Sequence, residues 1–425
     1  ISEPKSSGSL SISDVSSEIE PRIIYHIFQH TPALIQFSSG TTSFPKAIPI
    51  SQSNLAANMA VIEHAFRGCT KERMVNWLPF HHDMGLVGNL LQVLWAGGSC
   101  LHLQPVDFVK RPAKWLQAIS KFEALVSGGP DFCYRQAVNR VKNEDVDNLD
   151  LKCWQIAYNG AEPVRHQTID SFAARFSSIG FKKTSFYPCY GFAETTLMAT
   201  GAHTEREPLN FTSKSLMIPN SSSIYLQDIY TSCGAPFANH GILIIDENGR
   251  LLPEKTIGEV VTWGPSVFEG YLEEALTDRF IAINDRQCFK TGDLGFLVEN
   301  ELYIVGRSDD LLVTKGRKLH ANEIERSIVY ASNGLIDTCV VFVSNEGGSL
   351  LNLIAEVHEK NLNAAEIGET QSSIKKMIAL NFDVTVGNVV FVKRGTIPKT
   401  TSGKIMRKNT QQMYISGQLN SLCKP

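Results

Sequence analysis

Between residues 33 and 178, short apolar runs alternate with longer amphipathic stretches. Ala33-Leu34-Ile35-Gln36-Phe37 predicts a short buried strand, and Ser51-Gln52-Ser53-Asn54 a turn and N-cap before a helix reaching about Phe66. Ala124-Leu125-Val126-Ser127 and Trp154-Gln155-Ile156-Ala157-Tyr158 read as further strands. Helices follow them over about 131–142 and 164–178. Strand–helix alternation of this kind implies a largely parallel, doubly wound α/β sheet.

From about 230 the pattern changes. Gly241–Asp246 is a strand closed by a turn with Asn248-Gly249, and Gly258–Trp263 is a second strand, so a β-rich part is expected over 230–306. Residues 307–425 read as a strand, a helix (about 321–331), two strands (about 337–345 and 350–358), a helix (about 364–380) and a strand (about 388–394). A last helix is expected to begin near Ser402. The expected division is therefore a large N-terminal domain, 1–306, with an α/β part over 1–229, and a small, mobile α+β domain over 307–425. Residues 1–20, rich in Ser, Glu and Pro, are expected to form a linker or a frayed start.

Composition narrows the possibilities. A chain of 425 residues exceeds one compact core. Its net charge of -3 argues against nucleic acid as the main partner. Nine scattered cysteines without a C-x-x-C pair argue against disulfide or metal frameworks, and a reduced, cytoplasmic compartment is the expectation. Residues 84–103 carry no charged side chain, but their glycines, Asn89, Gln92 and His102 favour a buried helix and strand over a transmembrane span. The chain starts at Ile1, without a signal-peptide pattern, as expected of a processed or incomplete chain.

Candidate chemistry sits at four places. Phe37-Ser38-Ser39-Gly40-Thr41-Thr42-Ser43-Phe44-Pro45-Lys46 offers hydroxyls, backbone N–H groups and a lysine, which suit a polyphosphate, although the Walker spacing is absent. Alone, it could be a polar surface loop. Tyr190-Gly191-Phe192-Ala193-Glu194-Thr195 and Thr291-Gly292-Asp293 supply carboxylates for a metal and a ribose. Pro398-Lys399-Thr400-Thr401-Ser402-Gly403-Lys404-Ile405 supplies a late lysine, which alone could be a solvated turn residue. Together they describe a nucleotide enzyme.

This ordered set resembles the adenylate-forming superfamily of acyl-CoA synthetases, adenylation domains and luciferases. Trp77-Leu78-Pro79-Phe80-His81-His82-Asp83-Met84-Gly85-Leu86, Ser127-Gly128-Gly129-Pro130-Asp131-Phe132, Asn159-Gly160-Ala161-Glu162-Pro163-Val164 and Phe186-Tyr187-Pro188-Cys189-Tyr190-Gly191 look more like its fatty acyl-AMP ligase branch. The resemblance covers roughly residues 33–415 and implies ATP and Mg²⁺ as cofactors. It places Ser39, Gly40, Thr41, Thr42 and Lys46 on the β- and γ-phosphates, and Glu194 on Mg²⁺. Gly160, Ala161 and Glu162 would line the adenine site, with Tyr190 of the Tyr190-Gly191 pair stacked on the base. Asp293 would bind the ribose hydroxyls, with Arg307 nearby. His82 would sit at the carboxylate end of an acyl pocket, or merely cap the next helix. Gly129 and Pro130 would shape the pocket wall. Lys404 would reach the substrate carboxylate and the α-phosphate, and Asp309 would be the hinge that exchanges it between half-reactions.

The implied reaction is fatty acid plus ATP giving acyl-AMP and pyrophosphate, with transfer to a phosphopantetheine thiol of an acyl carrier protein. The family links an insertion near 199–232 to disfavouring free CoA, so an acyl-CoA synthetase is the first rival. An amino-acid-activating domain would need an acidic anchor, for which Asp131 is a candidate better suited to a helix N-cap. A truncated nucleotide- or acyl-binding relative is the non-catalytic rival. Two positions depart from the superfamily pattern: Ser43 and Ala47 stand where many members carry Gly. Only 36 residues precede Phe37, where family members carry a substantial stretch, so the first part of the large domain is expected to be missing.

Overall fold

The computed structural model describes residues 32–37, 46–217, 229–272, 279–314, 317–332, 334–344, 350–357, 364–399 and 405–419. A seven-stranded sheet organises the first half, in the order Ala235–Pro236, Thr200–Gly201, Phe186–Tyr190, Ile156–Asn159, Val126–Gly129, Arg73–Asn76, Ser99–His102. Its last five strands pair in parallel. Val126–Gly129 and Ile156–Asn159 are buried at every residue, as a parallel sheet covered on both faces requires. The helices Ala113–Phe122, Asp131–Arg140 and His166–Phe176 contribute to that cover. Trp115, Tyr134, Trp154, Phe172 and Phe186 interlock edge to face in the core. The Trp115 indole N–H donates to Ser127 Oγ at 2.8 Å, and Ser127 donates to the Val75 carbonyl at 2.6 Å, so these buried polar atoms are satisfied.

Two expectations change here. Pro32–Phe37 is a strand, but not a buried one. It pairs only with Ala47–Ser51 in an antiparallel ribbon, leaving Phe37 69% and Ile35 48% exposed. Asp131 is not an N-cap, since Pro130 holds that position. Its buried carboxylate instead accepts from Asn159 Nδ2, Arg165 N and Thr168 Oγ1, welding two helices to a strand. Ser51 does cap the helix Gln52–Ala65, in a reciprocal capping box with Asn54.

The uncharged stretch 84–103 folds as the short helix Asp83–Gly85, a π-helical turn Leu86–Leu91, the helix Gln92–Ala96 and the edge strand Ser99–His102. No helix among the described residues is long and apolar enough to cross a membrane.

The β-rich part is a five-stranded antiparallel sheet: Gly241–Ile245, Gly258–Trp263, Arg286–Val298 and Phe280–Ile283 in order, with Glu301–Arg307 pairing the long strand Arg286–Val298. Ile48 and Ile50 pack against its Phe289 and against Phe268. Beyond Arg307 a short 3-10 turn, Ser308–Asp310, leads into a separate core. There the strands Ile336–Ser344, Leu350–Val357 and Val386–Lys393 pack with the helices Ala321–Ala331 and Ala364–Phe382. The last helix spans Arg407–Ile415, not from Ser402. Ile405 still bridges Lys399, and the Met406 N–H donates to the Pro398 carbonyl, so the chain is held in a hairpin up to that point.

His320 sits where the second core meets the first. It is 2% exposed, Gly306 packs against its ring, and among the described residues neither ring nitrogen has a hydrogen-bond partner. Burial lowers its pKa to about 4, with Asp310 acting weakly in the opposite sense. Between that value and the ordinary pKa of about 6.5, the unfolded chain binds a proton that the folded chain refuses, so stability rises with pH through this window. We expect urea midpoints to increase from pH 4 to 6.5, by about 3 kcal/mol at most for this group, and His320→Leu to remove most of that slope.

Candidate nucleotide and acyl site

Asp293 is the hub of the site. It lies on the long strand Arg286–Val298, opposite Arg307 on the neighbouring strand. Its Oδ2 accepts from the Tyr190 hydroxyl at 2.6 Å, and its Oδ1 lies 3.5 Å from Arg307 Nε. Gly292 adopts φ +75°, and a Cβ there would stand 3.1 Å from Arg279 Nη1 and 3.4 Å from Arg307 Nη2. Burial raises the Tyr190 pKa, and the nearby Asp293 adds to it, so the phenol remains a donor. Burial opposes the Arg307 charge, but Asp293, Tyr190, Asp310 and Asp309 together hold its pKa above the ordinary value.

Glu194 sits on a 3-10 turn, Ala193–Thr195, just after the strand Phe186–Tyr190. The turn is fixed from several sides. Asn58 donates to the carbonyls of Thr195 and Met198 and accepts from Met198 N, Thr196 donates to the Ser266 carbonyl, and the Phe268 N–H donates to the Glu194 carbonyl. The Glu194 carboxylate accepts from the Tyr271 hydroxyl at 2.8 Å, and the Lys46 ammonium lies 4.6 Å from the centre of the same ring. Burial raises the Glu194 pKa, with the Tyr271 hydrogen bond pulling the other way.

A cavity of about 40 Å³ opens beside Tyr190, Gly191 and Ala161. Its other walls are apolar, made by Ile62, Phe66, Met84, Leu197 and Met198. Gly88 and Asn89 reach it from the π-helical turn, where a Cβ on Gly88 would lie 2.8 Å from Leu197 Cδ2. Tyr158 donates to Asn89 Oδ1 at 3.1 Å, and Asn89 donates to the Met84 carbonyl at 2.7 Å.

The structure thus brings Lys46, Glu194, Tyr190, Gly191, Asp293, Arg307 and Ala161 into neighbouring positions. Gly160 packs against the Cys189 carbonyl, and the Glu162 carboxylate accepts from the Phe132 N–H at the start of a helix. Gly129 is pressed against the Trp77 indole. His82 occupies the N-cap of Asp83–Gly85, its Nδ1 2.5 Å from Asp83 Oδ1. Ser39, Gly40, Thr41, Thr42 and Lys404 lie outside the described residues, as does Ser43. The hairpin bearing Lys404 is described on both sides, at Lys399 and Ile405. Tyr271 escaped the sequence reading. Its one signal was an aromatic hydroxyl directly after Gly270, a glycine at φ +151°. The segment 199–232, described as far as Met217 and again from Ile229, is anchored: Arg206 and Ser232 both donate to the buried Glu301.

Residues 6–272 match the family described as AMP-binding enzyme, and residues 309–423 match the AMP domain of Disco-interacting protein 2-like proteins. The medium-chain-fatty-acid–[acyl-carrier-protein] ligase TtuA of Teredinibacter turnerae is 35% identical over 88% of this chain. JamA of Moorena producens, of the same description, is 32% identical over 92%. The chain spans 62% of the length of TtuA and 69% of JamA. A solved structure from studies of fatty acyl-adenylate ligases of E. coli and L. pneumophila superposes with a TM-score of 0.82 at 30% identity, covering 91% of this chain and 70% of that one. The chain belongs to the AMP-binding, adenylate-forming enzyme family, in its fatty acyl-AMP ligase branch.

Proposed function

We propose that the protein activates a fatty acid with ATP, forming acyl-AMP and pyrophosphate, and passes the acyl group to the phosphopantetheine thiol of an acyl carrier protein. The observation that carries this reading is the apolar cavity that begins at Ala161, Tyr190 and Gly191, beside the Tyr190–Asp293–Arg307 cluster. A polar edge suited to a nucleoside thereby adjoins walls suited to an alkyl chain. Names carried by TtuA and JamA point to medium-chain acids and carrier proteins. With free CoA as acceptor, the same site would be an acyl-CoA synthetase.

In this reading Asp293 accepts hydrogen bonds from the ribose hydroxyls, and Arg307 keeps that carboxylate charged. Tyr190, held by its hydroxyl, presents a ring face to adenine between Gly160, Ala161, Glu162 and Gly191. Ser39, Gly40, Thr41, Thr42 and Lys46 hold the β- and γ-phosphates. His82 stands near the acid's carboxylate. That carboxylate attacks the α-phosphorus, the P–O bond to pyrophosphate breaks, and Lys404 offsets the charge of both anions as they align. The acyl–AMP bond retains its energy for the thiol, and Asp309 is the pivot between residues 1–306 and 307–425. Eight described cysteines are free thiols, which suits a cytoplasmic location.

The residues also fit Mg²⁺. Glu194 offers a largely buried carboxylate, and no group of three or more His, Cys, Asp or Glu side chains among the described residues could hold an ion. One protein carboxylate with substrate phosphates and water is the usual Mg²⁺ arrangement. When bound there, the ion would stabilise negative charge on the leaving pyrophosphate.

Incubation with ATP, Mg²⁺ and fatty acids of graded length should yield acyl-AMP by mass spectrometry, and Lys404→Ala should lower its rate about 10²-fold or more. A folded, ATP-binding protein that forms no acyl-AMP with any acid would overturn the function. Adding CoA or a holo carrier protein then separates the two acceptors. Glu194→Gln should uncouple stability from activity. A carboxylate whose folded pKa is raised costs stability once the pH exceeds its unfolded value, so the neutral amide should melt at the same or a higher temperature at pH 7.5 while losing about 10²-fold in Mg²⁺-dependent turnover. The thermal advantage should vanish as the pH falls to the ordinary glutamate pKa of about 4.3.

A further inference from the structure

Arg407 is the first residue of the last helix and follows Lys404 by three positions. Its side chain is only 11% exposed. The guanidinium donates to both oxygens of Glu325, at 2.8 and 2.9 Å from Nη2, and to Asn322 Oδ1 at 3.0 Å. Its Nη1 donates to Asp310. Glu325 and Asn322 belong to the helix Ala321–Ala331, whereas Asp310 closes the linker turn Ser308–Asp310 immediately after Arg307. Glu325 also accepts from the Val341 N–H at 2.9 Å, which fixes the carboxylate in the sheet.

The other limb of the Lys404 hairpin is held as firmly. The Ile397 N–H donates to Glu356 Oε1 at 2.8 Å, and Lys399 Nζ donates to Thr338 Oγ1 at 3.1 Å. The stretch between Lys399 and Ile405 is therefore fixed at its base by the small domain, and through Arg407 alone it is also tied to the linker turn among the bonds described. A buried trio of one guanidinium and two carboxylates is a poor way to gain stability, because well-packed apolar side chains of the same volume would do as well. Such a trio specifies geometry instead. The planar fork of arginine suits this, since it meets several acceptors at fixed angles where a lysine would meet one.

We propose that Arg407 is a positioning residue that sets the register of the Lys404 hairpin against the linker turn, so that the lysine arrives in line with the carboxylate and α-phosphate. The proposal rests on Lys404 acting in acyl-AMP formation. When the domain turns about Asp309, Asp310 would carry Arg407, and with it the base of the hairpin, as one piece.

The test compares Arg407→Met, Arg407→Lys, Asp310→Asn and Lys404→Ala, using decanoate and ATP. Two readouts are needed: steady-state acyl-AMP formation, and calorimetric binding of a decanoyl-sulfamoyl adenosine. For Arg407→Met we expect kcat to fall about 30-fold, KM for ATP and decanoate to stay within about threefold, and the analogue to bind one per chain. Arg407→Lys should recover part of the loss, and Asp310→Asn should lose less on its own and add little in the double variant. A binding stoichiometry that falls in proportion to kcat would reveal mere loss of folded protein and overturn the proposal, as would unchanged kcat in Arg407→Met. If Arg407→Met does not fold, the same criteria apply to Arg407→Lys. Full activity in Lys404→Ala would remove the functional reading of that lysine and this proposal with it. An inactive Lys404→Ala beside an unimpaired Arg407→Met would overturn the positioning role alone.

Discussion

The hydrogen bond from Tyr190 to Asp293 is the constraint on which the candidate site depends. Tyr190 ends a strand of the seven-stranded sheet, and Asp293 lies in the middle of the longest strand of the antiparallel one. One proton shared at 2.6 Å therefore fixes the spacing between two sheets that have no strand in common. Arg307, across the ladder from Asp293, keeps the carboxylate an acceptor and is the last residue before the linker turn. The same carboxylate thus relates the large sheet, the β-rich sheet and the entrance to the second core. A neutral side chain there would keep the shape of the strand and lose the relation.

Burial works against charge at several places in the molecule, and the structure answers differently each time. Asp131 is surrounded by donors from three elements and serves as a joint between helices. Glu325 is met by a guanidinium that has further partners of its own. Glu194 receives one printed hydroxyl bond and keeps a raised pKa. Buried carboxylates with full sets of donors hold structure, whereas one held short of its capacity is poised for a cation.

Much of this was legible in the chain because the chemistry lies in short contiguous words. Tyr190 through Thr195 and Thr291 through Asp293 each place a functional side chain beside the residues that shape its backbone, so their local structure follows from local sequence. The helix Gln52–Ala65 announced itself through Ser51 and Asn54 for the same reason. What could not be read depended on partners distant in sequence. Tyr271 matters only because the chain returns to Glu194 after 77 residues, and Arg407 only because Asp310, 97 residues away, comes beside it. Pro32–Phe37 misled because apolar composition records what a strand can bury, not what stands opposite it. Ser402 has the chemistry of a helix cap, but the Lys399–Ile405 bridge outcompetes it and delays the helix to Arg407.

The π-helical turn Leu86–Leu91 carries a consequence for how the cavity could change over evolutionary time. A π turn holds one residue more than the α turn it replaces, and each residue of an α-helix advances the azimuth by about 100°. Deleting a single residue there would restore regular winding and rotate everything beyond it by about that angle, Gln92 and Val93 included. The buried flank of the helix Gln92–Ala96 would turn toward water, while the exposed Leu94 and Trp95 would swing toward the interior. Substitution could remodel the cavity wall gradually, whereas a one-residue deletion would replace the wall altogether. The length of this turn is therefore a more stringent inheritance than the identity of most side chains on it.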